Sequence, residues 1–139
     1  MIQVLQRAYP VVLTGITLAI TGCGSRESYE VSGVAKYQDG SPITGAVRIV
    51  RLEPAADTTA TLRKVASGYL SEDGSFEMFT RRPGDGVVPG KYVVTFTVMD
   101  KAMGGKSLIP AKYNNAETSP FELMVDDDKD GLEYKLDKL

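Results

Sequence analysis

Histidine is absent from this chain of 139 residues, and cysteine occurs once, at Cys23. Without imidazole there is no histidine general base, no Ser-His-Asp or Cys-His arrangement and no histidine-ligated zinc. A single thiol makes no internal disulfide and no cysteine-rich metal site. Stability must then come from an apolar core and from sheet ladders. Concentrated positive charge is lacking too: 16 basic and 18 acidic residues are interspersed, for a formal net charge of −2. Phosphate backbones are held by clustered Lys and Arg, so nucleic acid is not expected as a partner. A membrane-spanning helix needs roughly 20 apolar residues, and the apolar run Tyr9–Ile20 offers only about 12. What remains is ordinary: 42% apolar and 24% charged residues describe a globular chain with one core.

The first 23 residues carry the clearest pattern. Arg7 gives a positive start, Tyr9–Ile20 (YPVVLTGITLAI) a short apolar run, and Ile20-Thr21-Gly22-Cys23 an aliphatic residue, two small residues and a thiol. The run has the length of a signal-peptide apolar segment, about 7–15 residues. Pro10 and Gly15 weaken a stable helix there. The competing reading is a buried N-terminal strand, VVLTGITLAI. The tetrad resembles the lipobox of a bacterial lipoprotein. That resemblance implies cleavage between Gly22 and Cys23 and diacylglyceryl modification of the Cys23 sulfur. It further implies a lipid-anchored cell-envelope protein, and Gly24 in place of Asp leans towards the outer membrane. Residues 1–22 are then the signal peptide, 23–28 (beginning Cys23-Gly24) a polar tether, and 29–139 the domain.

From Tyr29 onward, strand patterns alternate with turn signals. Expected strands are Tyr29–Tyr37, Ala46–Glu53, Leu62–Leu70, Ser75–Thr80, Lys91–Met99, Pro120–Val125 and Leu132–Lys138. Ala46–Glu53 alternates so that Val47 and Ile49 face one side, Arg48, Val50 and Leu52 the other. Lys91–Met99 is rich in β-branched and aromatic residues. Ser71-Glu72-Asp73-Gly74 reads as a hairpin turn, because Asp-Gly supplies left-handed backbone positions. Seven short strands without a helical period predict an all-β, seven-stranded Greek-key sandwich. Lys101–Ser119, about 19 residues, is the longest stretch without a strand, and loops of that length are uncommon.

The turns form an ordered series: Val31-Ser32-Gly33-Val34, Asp39-Gly40-Ser41-Pro42-Ile43-Thr44-Gly45-Ala46-Val47, Asp73-Gly74-Ser75-Phe76 and Pro89-Gly90-Lys91-Tyr92-Val93-Val94. The series resembles the carboxypeptidase regulatory-like domain, a transthyretin-like sandwich related in shape to immunoglobulin-like ones. The resemblance covers most of Tyr29–Leu139. It implies a fold and a non-catalytic accessory role, not peptidase activity. It also extends to starch-binding-like and surface-protein modules, which makes glycan or protein contact an expectation.

Three candidate sites follow. Asp126, Asp128 and Asp130, ahead of Gly131, have the spacing of a calcium loop, with Asp137 at the twelfth position. The alternative is a solvated hairpin turn between the last two strands, with Asp137 pointing outward. Glu53, Glu72, Asp73, Glu77 and Asp85 could supply the carboxylate pair of a glycoside hydrolase, although all sit at turns or on polar strand faces. Among the tyrosines, Tyr29, Tyr37, Tyr69, Tyr92 and Tyr134 are expected to pack on the sheets, with the Tyr92 hydroxyl bonding a nearby loop. Tyr113, with Asn114 and Asn115, is the best candidate for an exposed contact. Its alternative is that Ile109, Pro110 and Tyr113 pin the long loop across one end. The expectation for function is a non-catalytic, lipid-anchored envelope module without cofactor, its partners membrane lipid through Cys23 and an envelope protein or glycan. A surface lipoprotein binding carbohydrate or Ca²⁺ is the alternative, and an enzyme the third reading.

Overall fold

The computed structural model describes residues 26–139. The expected signal peptide, the Gly22–Cys23 cleavage point, the lipidation site Cys23 and the first part of the tether lie outside the described residues.

The alternating segments form strands β1 (Val31–Tyr37), β2 (Val47–Pro54), β3 (Ala66–Tyr69), β4 (Ser75–Glu77), β5 (Gly90–Met99), β6 (Phe121–Val125) and β7 (Lys129–Leu136). A short 3₁₀ turn, Ala111–Asn114, interrupts the connection from β5 to β6. The strands make two sheets, ordered β4-β1-β7 and β3-β2-β5-β6. The described residues are therefore all-β, with two sheets in the manner of a sandwich. Period-two alternation sends one face of each strand inward. Val31, Ala35 and Tyr37 of β1 meet Val50 and Leu52 of β2, Tyr92, Val94, Phe96 and Val98 of β5, and Tyr134 and Leu136 of β7 in one buried cluster. Each large apolar side chain there contributes about 1.5–3 kcal/mol of burial. Phe96 joins the layers: its ring lies 5.6 Å from Tyr134, on the other sheet, and 6.0 Å from Phe121, in edge-on contact with both.

The first and last strands run side by side and parallel, whereas the other pairs are antiparallel. This order differs from the ABED and CFG sheets of immunoglobulin constant domains. It sorts the loops into two ends. Arg26–Glu30, the β2–β3 connection, the β4–β5 connection and Asp126–Asp128 gather at the end where the chain enters, called the tether end below. The β1–β2 and β3–β4 turns and the C-terminal residues lie at the far end.

Three expectations need correction. The expected strand Leu62–Leu70 begins only at Ala66. The β2–β3 ladder stops at Leu52 opposite Ala66, so Leu62–Val65 have no sheet partner despite their β-forming composition. The last strand starts at Lys129, not Leu132. Lys129 N–H bonds Glu30 C=O at 2.8 Å, and an extra residue beside Gly131 (φ +67°) is absorbed as a bulge between the Val31–Lys129 and Gly33–Leu132 pairs. The segment Asp126–Asp128 is no hairpin, because β6 belongs to one sheet and β7 to the other.

Candidate functional site

The Ser71–Gly74 turn forms as its composition requires. Gly74 has φ +85°, Gly74 N–H bonds Ser71 C=O at 2.9 Å, and Ser71 N–H bonds Ser75 C=O at 2.9 Å. Asp73 Oδ1 accepts from both Ser75 Oγ (2.7 Å) and Ser75 N–H (3.0 Å). Those donors hold its carboxyl below the usual range. The Asp39–Ser41 turn repeats the device, with Ser41 Oγ and N–H on Asp39 Oδ1 at 2.5 and 2.9 Å.

The Ser71–Gly74 turn joins an edge strand of one sheet to an edge strand of the other. Beyond it, β3 and β4 diverge, tied only where Ser67 and Phe79 exchange two backbone bonds of 2.8 Å. The divergence opens a groove of about 450 Å³ lined by Ser32, Tyr69, Ser75, Glu77, Phe79 and Pro83, among others. Tyr69 is 65% exposed on a structure that buries Tyr37, Tyr92, Tyr113 and Tyr134. Its ring lies 6.0 Å from that of Phe79, tilted by 37°. Serine hydroxyls and one carboxylate border the two rings. Such a surface offers a flat apolar face with hydrogen-bonding groups at its margin, which suits a ring that is apolar on its face and polar at its edge. Among the described residues Glu77 is the one carboxylate lining the groove, and they do not assemble the two-carboxylate geometry of glycoside hydrolysis there.

Asp85, Glu53, Asp126 and Asp128 are occupied by structural tasks. Asp85 takes backbone N–H groups from Thr80, Arg81 and Arg82 at 2.8–3.0 Å, which holds its carboxyl down. Glu53 accepts from Thr95 Oγ1 at 3.3 Å. In the Asp126–Asp130 run, Lys129 Nζ pairs with Asp126 at 3.0 Å and with Asp127. Asp128 accepts from Glu30 N–H at 3.0 Å and Arg26 Nη1 at 2.8 Å, the backbone bond being the larger cause of its lowered pKa. Asp126, Asp128 and Asp130 are not brought together, and no group of three carboxylate, cysteine or histidine side chains among the described residues is placed to hold a metal ion. Asp137 is carried by β7 to the far end and cannot serve as a twelfth ligand.

Tyr113 is the main reversal. It is buried rather than exposed, with its ring stacked 5.7 Å from Phe121 at 9°. Its hydroxyl donates to Asp137 Oδ2 at 2.8 Å and accepts from Asp137 N–H at 3.1 Å. Lys112 Nζ reaches the same oxygen at 2.8 Å. Tyr113 therefore pins the long loop, as the alternative reading held. Tyr92 bonds Val88 C=O through its hydroxyl, in accord with expectation. Tyr69 was missed as a contact residue. The available signal was its neighbour Gly68, whose inward position leaves Tyr69 on the outer face of an edge strand.

Comparison with protein-family models, with curated proteins and with solved structures found no match.

Proposed function

We propose that this chain is a non-catalytic, lipid-anchored protein of the cell envelope whose β-domain is a structural or interaction module. On this reading Cys23 bears the acyl groups, residues 1–22 are removed, and residues 29–139 form a seven-stranded Greek-key domain of the transthyretin-like, carboxypeptidase regulatory-like kind. The observation that carries it is the Ile20-Thr21-Gly22-Cys23 tetrad, placed a few residues before the first residues of an all-β body. A lone thiol elsewhere would say little. The parallel pairing of β1 with β7 supports the class of sandwich, and the absence of histidine from the sequence supports a non-catalytic role. Mass spectrometry of the membrane-extracted protein should give a chain beginning at acylated Cys23. Cys23→Ser should abolish labelling by radioactive palmitate. Palmitate label retained in that variant overturns the anchor.

A second reading, a carbohydrate-binding surface lipoprotein, is favoured by the exposed Tyr69–Phe79 pair among serines and Glu77. Aromatic rings with polar margins hold sugar rings by stacking plus hydrogen bonds. A glycan array with the wild type and Tyr69→Ala decides it. Binding lost in the variant supports a sugar site, and no binding by the wild type leaves the interaction module.

A further inference from the structure

The two lateral edges of the sandwich are finished differently. On one side β3 and β4 are edge strands, but the Ser71–Gly74 turn joins them and Ser67 and Phe79 exchange backbone bonds between them. On the other side β6 and β7 are edge strands of different sheets, and β7 runs from the tether end to the far end. Successive residues of a strand aim their N–H and C=O groups at opposite edges. Leu136 C=O accepts Gln38 N–H at 2.9 Å. The backbone groups of Leu132, Tyr134 and Leu136 therefore face β1, and those of Glu133 and Lys135 face away from the sheet. Asp137 N–H, next on that outer edge, is taken by the Tyr113 hydroxyl at 3.1 Å. Lys135 C=O receives only a long contact from Gln38 Nε2, at 3.5 Å. The Glu133 and Lys135 side chains are exposed, and neither makes an ion pair among the described residues. Leu132 on β7, and Phe121 and Leu123 on β6, are only partly buried along the same side.

We infer that a second copy of this chain pairs with β7 edge to edge, antiparallel about a two-fold axis at Tyr134. The pairing joins two three-stranded sheets into one continuous sheet. The axis sets Glu133 of each copy opposite Lys135 of the other. Both residues of such a pair aim their backbone groups at the shared edge, so each pair exchanges two N–H···O=C bonds. Opposite charges directly across an antiparallel pair attract, and like charges repel. Axes at Glu133 or at Lys135 would set like charges face to face, so charge selects the Tyr134 register. Charge ordinarily guards an edge strand; here its spacing admits one self-pairing. Opposite Asp137 the axis places Gly131, which brings no side chain against the Tyr113 hydroxyl. β6 lacks this self-complementarity, since Glu122 is its one charged residue. The interface is small, so association is weak and reversible. The pairing goes beyond the interaction-module reading and needs no acyl group, so an unmodified Cys23 leaves it standing.

Sedimentation of the full chain in detergent, reduced so that Cys23 forms no disulfide, reads the association up to about 1 mM protein. The wild type should pass from monomer to dimer. Glu133→Lys and Lys135→Glu each set like charges across the axis at both pairs, and each should weaken association about thirtyfold. Mixing the two variants restores opposite charges, so a heterodimer should form with near wild-type affinity. Glu133→Lys combined with Lys135→Glu in one chain should also self-associate. Both side chains are exposed, so the melting temperatures of the dilute single variants should match the wild type. If a charge variant does not fold, Lys135→Pro gives a second reading. It removes an outer-edge N–H, leaves the β1 ladder whole and should abolish the dimer. A wild type still monomeric at about 1 mM overturns the self-pairing and leaves the edge to an extended segment of another protein. A dimer indifferent to both charge reversals overturns it as well, as does a mixture of the two variants that stays monomeric. The mass of Cys23 on the same sample reports the anchor separately.

Discussion

Two of the connections between strands behave oppositely. Asp100–Pro120 is the longer, yet it is fixed at many points. Ile109 and Tyr113 are buried, Lys106 N–H bonds Asp100 Oδ1 at 2.7 Å, Asn114 Nδ2 bonds Thr97 Oγ1 at 3.0 Å, and Ser119 Oγ bonds Val94 C=O. Ala55–Val65 is shorter and is fixed only in its first half. Ala55 N–H bonds Lys91 C=O at 2.9 Å, and the mostly buried Thr58 accepts Lys91 N–H at 3.1 Å. Past Thr58, only two long bonds, both 3.4 Å, return to that residue, and Leu62 and Val65 face outward. Loop length thus does not set exposure. A loop is buried when its apolar side chains find a partner across the core, and Tyr113 finds Phe121 while Leu62 finds none.

The largest break of this contrast is expected from Tyr113→Ala. Removing a buried ring and its two bonds to Asp137 should cost about 3–5 kcal/mol, read by urea denaturation. A cost under about 1 kcal/mol would put Tyr113 outside the pinning contact. Alkaline titration comes next. Burial raises Tyr134, which packs 5.1 Å from Phe121, to about 12. The neutral phenol is favoured in the fold, so this stabilisation is complete below the unfolded value of about 10 and is lost as pH rises towards about 12. Denaturation midpoints should fall across that window, and Tyr134→Phe should flatten the fall.

An acid-side effect sharpens the contrast more gently. Hydrogen bonds from Lys112 and then Tyr113 hold Asp137 below its ordinary value. Its contribution is present above an unfolded pKa of about 3.9 and disappears as pH falls through the lower folded value. Amide exchange at Tyr113 and its neighbours should quicken at that pH while exchange at Leu62–Val65 stays fast throughout. Asp137→Asn should remove the dependence. The smallest effect belongs to Leu62→Ser with Val65→Ser, within about 0.5 kcal/mol per site. A loss above about 2 kcal/mol would mean that these side chains support the fold.

Some of this was legible along the chain. β1, β2 and β5 follow from alternation, and the Asp39-Gly40-Ser41 and Asp73-Gly74-Ser75 turns from local chemistry that each tripeptide supplies to itself. Leu62–Val65 was misread because LRKV has the same β-forming composition inside or outside a ladder, and only the end of the β2–β3 register separates the cases. The groove was not legible, since Tyr69 and Phe79 face each other only because two strands joined by a tight turn enter different sheets.

The sequence by itself determined the all-β character, the turn positions and the tetrad at Cys23, because period-two alternation, Asp-Gly turns and a thiol after small residues are local properties. Tertiary structure alone decided that Tyr113 is a pin and that Tyr69 is exposed. Each depends on a partner brought from a distant part of the chain, and burial and charge neutralisation are properties of such pairs.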